Sequence, residues 1–75
     1  MFVAVKYNKT IETINLDNIT EIKCDYNTNI LVMYKDSGVW ANWQFIDGGE
    51  LTNAYNQIID GLLDNKKIIT INIKE

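Results

Sequence analysis

Three short stretches of this 75-residue chain hold residue types that could do chemistry. In "DYNTN", Asp25, Asn27 and Asn29 stand at the first three ligand positions of a calcium loop, and Asp36 follows eleven residues after Asp25. Such a loop also needs Gly at its sixth position for the sharp turn and a bidentate Glu at its twelfth. Ile30 and Asp36 occupy those positions, and "ILVMYK" between them has the composition of a strand, so the stretch reads as an Asx-rich turn. Gly48 and Gly49 open the helical pattern and could cradle a phosphate on free backbone N–H groups. Asp47 and Glu50, spaced as a capping box, would claim the same donors. Cys24 is the single thiol, and it alternates onto the same side as Ile22 and Tyr26, where burial raises a thiol pKa and makes it inert.

Catalysis by general acid–base or nucleophilic routes needs a reactive group oriented by a second one. The chain has no His and no Arg, so only carboxylates, lysines, tyrosines and Cys24 remain. A lone Cys without His builds no zinc site. We therefore expect a non-enzymatic protein with no metal and no cofactor. The net charge of −3 repels phosphate-rich partners unless the seven lysines cluster, which makes nucleic acid an unfavoured partner. Lys66 and Lys67 follow the helical stretch, where cations suit the negative end of the helix dipole. A lone cysteine fits a reducing compartment, and no apolar run reaches the roughly 18 residues of a membrane span, so the expectation is a cytoplasmic protein without a membrane segment. Ten Asn and twelve Ile beside no Arg, His or Pro match A+T-rich codons, as in some bacterial or phage genomes.

The elements that must position these residues follow from periodicity. Residues 1–75 form a single domain on length. Phe2–Tyr7 and Thr10–Leu16 read as a hairpin, and "LDNITEI" as a short helical turn. Strands at Glu21–Tyr26, Ile30–Lys35 and Val39–Ile46, separated by "NTN" and "DSG", form an antiparallel meander. Leu51, Ala54, Tyr55, Ile58, Ile59, Leu62 and Leu63 trace one stripe of a helix over about residues 48–63, with Gly61 placed on its polar side. Ile69, Ile71 and Ile73 alternate as a last strand. The fold class is α+β: a small β-meander, a curved sheet or half-barrel, packed by one amphipathic helix, with a C-terminal strand after the helix.

The stretch Val5–Gly38, with apolar Leu16, Ile19, Ile22 and Ile30 in its strand–turn–"LN…I"–hairpin pattern, resembles small bacterial flagellar proteins of the FlbD type. The resemblance covers less than half of the chain. It implies the strand and hairpin order only, because "VWANWQF" and an uncharged Asn-rich helix follow here.

"GVWANWQF" holds both tryptophans, and strand alternation sends them to opposite faces. Val39, Ala41, Trp43 and Phe45 make a uniformly apolar set for the core. Trp40, Asn42 and Gln44 take the other face, and we group Leu31 and Met33 of the neighbouring strand with them as interface candidates. One helix covers one side of a small sheet, so the sheet must curl or meet a second copy. The leading expectation is a self-associating protein–protein interaction module, a homodimer, with Trp40 at the contact. The alternatives are a single-stranded nucleic-acid binder using Tyr7, Tyr34 and Trp40 beside Lys6, Lys9 and Lys35, and a phage- or plasmid-encoded inhibitor of a host or defence protein.

Overall fold

The computed structural model describes residues 1–7 and 9–73. The chain runs β1 (Phe2–Tyr7), β2 (Thr10–Asn15), β3 (Glu21–Asp25), β4 (Ile30–Lys35), β5 (Gly38–Gln44), α1 (Gly48–Leu63) and β6 (Ile68–Ile73), an α+β fold with its last strand after the helix. The strands divide into two three-stranded sheets, ordered β2-β1-β6 and β3-β4-β5. The second is the antiparallel meander; in the first, β6 returns parallel to β1, with Val3 beside Ile69 and Val5 beside Ile71.

Alternation sets the inner faces. Val3, Val5, Ile69 and Ile71 of one sheet and Leu31, Met33 and Trp43 of the other are buried in a single cluster, which Leu51, Ala54 and Ile58 of α1 close from a third side. Two sheets and one helix thus wall the core, and both outer sheet faces stay open. This answers the coverage problem for the inner faces without a second copy.

The helix begins at an Asp47 cap whose Oδ1 accepts the Glu50 N–H at 2.8 Å. It ends as a Schellman turn: Asn65 takes φ +57°, the Lys66 N–H reaches the Gly61 carbonyl at 3.0 Å, and the Asn65 N–H reaches that of Leu62 at 3.2 Å. Lys66 therefore supplies a backbone donor to the helix end, and the last helical turn itself holds no basic side chain.

Three expectations are corrected. Gly61 is buried, not polar-facing, because α1 lies so close to β6 that a Cβ there would stand 2.6 Å from Ile69 Cδ1. Leu62 and Leu63 fall away from the buried strip, Leu63 with 80% of its surface exposed. "LDNITEI" is a turn rather than helix: the Asp17 N–H bonds Asn15 Oδ1 at 2.9 Å, and Asn18 adopts φ +68°.

Candidate functional site

β4 and β5 join through Asp36 and Ser37, with Lys35 opposite Gly38 and Tyr34 opposite Val39. Continued without interruption, that register would set Trp40 opposite Met33 and Asn42 opposite Leu31, the grouping expected from sequence. A bulge intervenes between Met33 and Tyr34, and Met33 pairs with Ala41, Leu31 with Trp43. One extra residue on β5, Trp40, has no opposite partner on β4, and every residue after it changes face relative to β4.

Leu31 and Met33 are consequently 0% exposed and belong to the core with Trp43, which corrects their grouping with Trp40. Val39, expected in the core, sits opposite Tyr34 and is 60% exposed for the same reason. Asn42 and Gln44 are exposed, as grouped with Trp40, and they pair with Val32 and Ile30. The outer face of this sheet therefore has an apolar middle of Ile30, Val32 and Tyr34. The amides of Asn42 and Gln44 border it on one side, and Glu21, Lys23 and Asp25 on the other.

Trp40 stands at the bulge with 51% of its surface exposed, and the Nζ of Lys35, which alternates onto the Leu31 and Met33 side of β4, stands 3.7 Å from its ring centroid. Trp43, only 6% exposed, turns inward, and its Nε1 donates to Glu12 Oε1 at 2.9 Å, tying β5 to β2 of the other sheet. The bulge is what brings Trp43 to the Leu31 side of β4 and so into the core. Sequence reading missed it because a bulge in a two-residue hairpin leaves no Gly or Pro marker at Trp40.

The stretches that could have carried chemistry have structural partners. Asp25 Oδ1 accepts the Asn27 N–H at 3.0 Å, and Asn29 takes φ +57°, an Asx turn between β3 and β4. The Gly48–Gly49 entry is capped by Asp47. Cys24 is half-buried, and burial raises its thiol pKa. Among the described residues, no three His, Cys, Asp or Glu side chains gather where they could hold a metal ion, and no helix is long and apolar enough to cross a membrane.

Of the residues weighed for nucleic-acid stacking, Lys35 and Trp40 come together at the β4–β5 turn and Tyr34 precedes Lys35 in β4, whereas Lys6 and Tyr7 lie on β1 of the other sheet. Tyr7 lines an open cleft of about 500 Å³ with Phe45, Ile46 and Ile73. Comparison of the chain with family models, with curated proteins and with solved structures finds no match, so the site stands on its own geometry.

Proposed function

We propose that this chain is a small non-enzymatic protein-interaction module of the cytoplasm that self-associates through an apolar surface of the β3-β4-β5 sheet around Trp40. The observation that carries the reading is the half-exposed Trp40 on its bulge, next in sequence to exposed Val39, which lies opposite Tyr34 of the Ile30–Val32–Tyr34 stripe. Burial of such side chains contributes about 1.5–3 kcal/mol each. Tryptophan with an apolar centre and a polar rim, here Asn42, Gln44, Glu21 and Lys23, is the composition of an interface hot spot. A core of this size gains proportionately from added buried area.

The reading with a nucleobase stacked on Trp40 is less favoured, since Lys35 already covers the ring and the other stacking candidate, Tyr7, is on the second sheet. An inhibitor of a host or defence protein would present the same Trp40 surface to a different chain. The test is solution mass across a concentration series for the wild type and Trp40→Ser. The wild type should form larger species than the variant; equal masses at every concentration would reject the reading.

A further inference from the structure

The two edges of the β3-β4-β5 sheet differ. β5 is bulged at Trp40, a device that turns an edge away from strand pairing. β3 is regular: Glu21–Asp25 pair with Tyr34–Ile30 without a shift, and no strand of the described residues lies on its other side. Beside that free edge runs a groove of about 280 Å³, lined by Ile19 and Ile22 on one side and by Tyr55, Ile59 and Leu62 of α1 on the other. These three helix residues, at i, i+4 and i+7, form a second apolar strip next to the buried one. The Tyr26 hydroxyl, hydrogen-bonded to Thr52 Oγ1 at 2.6 Å, ties β3 to the helix beyond the far end of the strand.

An occupant of this edge must pair its backbone with β3, place an apolar side chain in the groove, and oppose Glu21 and Lys23 with complementary charge on the outer face. β3 itself has that pattern. Opposite residues of an antiparallel pair share a face, so a two-fold axis can pass only through registers that keep inward residues against inward ones. Centred on Lys23, it sets Lys23 against Lys23 and Glu21 against Asp25, all like charges. Centred on Cys24, it joins Lys23 to Asp25 but shifts toward the Tyr26–Thr52 tie and away from the groove. Centred on Ile22, it puts Ile22 against Ile22 at the groove and Glu21 against Lys23 twice, once on each side of the axis. The Thr20 N–H is taken up by the Tyr34 carbonyl at 2.9 Å, so the N–H groups that this register uses across the axis are those of Ile22 and Cys24.

We infer that a second copy of this chain docks antiparallel on the β3 edge with the two-fold axis at Ile22, joining two three-stranded sheets into one. The contact is distinct from the Trp40 face, and it stands or falls separately from it. The Trp40→Ser background isolates it. In that background the chain is a dimer at high micromolar concentration by analytical ultracentrifugation. Adding Glu21→Lys or Lys23→Glu turns each attraction into a repulsion and weakens the dimer by about tenfold or more.

Mixing the two charge-reversed chains restores complementarity, so native mass spectrometry shows a dimer with one of each. The double reversal Glu21→Lys/Lys23→Glu dimerises again by itself. Both side chains are exposed, and far-UV circular dichroism verifies that each variant is folded. A monomeric Trp40→Ser chain, a dimer indifferent to single reversal, or a mixture that stays monomeric would overturn the inference.

Discussion

The indole nitrogen of Trp43 on β5 donates to the carboxylate of Glu12 on β2 at 2.9 Å, a side-chain hydrogen bond that spans the two sheets. Glu12 lies on the inner side of its sheet because it pairs with buried Val5. Glu12→Ala leaves a part-buried N–H without its acceptor and should cost about 1–3 kcal/mol. Glu12→Gln keeps an amide oxygen in reach and should lose less. Urea unfolding followed by Trp43 fluorescence measures both, and equal stability of Glu12→Ala and wild type would show that the bond contributes nothing.

Gly61→Ala sets two effects against each other. Alanine improves helix propensity by about 1 kcal/mol, but its Cβ would overlap the buried Ile69 side chain, 2.6 Å from Cδ1. Overpacking of this kind costs about 1–3 kcal/mol, so the net effect should be destabilising. In an Ile69→Ala background the clash disappears and the same change should become neutral or stabilising. An additive double-mutant cycle would mean that the two positions do not press on each other.

The helix was legible in the chain because its signals were local: the Asp47 cap, the Gly pair and the 3.6-residue apolar period gave bounds that match Gly48–Leu63. Which part of the stripe meets the core was less legible. Periodicity ranks Leu62 above Gly61, yet close approach to β6 buries the residue with no side chain. In the sheets, alternation identified both faces of β4 and β5 but could not say which face of one joins which face of the other. That relation depends on the bulge at Trp40, whose cause is tertiary. Asn42 and Gln44 were placed on an open face, while Leu31 and Met33 were exchanged with Ile30 and Val32. The parallel return of β6 beside β1 depends on contacts between chain ends, which local pattern does not encode.

The ends of α1 rest on two different devices. Asp47→Ala removes the acceptor for the Glu50 N–H and should cost about 0.5–2 kcal/mol. Asn65 holds φ +57°, which Gly adopts without penalty and Ala does not. Asn65→Gly should therefore be neutral or stabilising and Asn65→Ala destabilising by about 1 kcal/mol. Thermal unfolding by circular dichroism should order the three midpoints as Asn65→Gly above wild type or equal to it, with Asn65→Ala lowest.

Burial raises the Cys24 thiol pKa, which lowers its thiolate fraction at neutral pH. Ellman's reagent should react more slowly with the folded chain than with the urea-unfolded chain at pH 7, and the rate should climb at higher pH than for the unfolded thiol. The linkage has a definite sign. Between the unfolded and folded pKa values the native state holds the proton more often, so the contribution to stability is present below the unfolded value and declines as pH rises through the folded one. Cys24→Ser should flatten that alkaline decline, and an unchanged pH profile would remove the thiol as its cause.

The two tryptophans should separate cleanly under mutation. Trp43 is only 6% exposed and pairs with Leu31, so Trp43→Ala should cost about 3–5 kcal/mol in lost contacts and cavity. Trp40 is 51% exposed and touches Lys35, so in dilute, monomeric conditions Trp40→Ala should cost about 0.5–1 kcal/mol, the value of an exposed cation–π contact. Fluorescence supplies an independent readout: Trp40→Phe, which retains only the buried indole, should emit to the blue of Trp43→Phe. At high concentration the red emission of the Trp40-bearing chain should shift to the blue as its ring enters a contact. An emission maximum that stays constant across the concentration series would place Trp40 in water throughout, and the self-association assigned to its face would be refuted even if the stability difference holds.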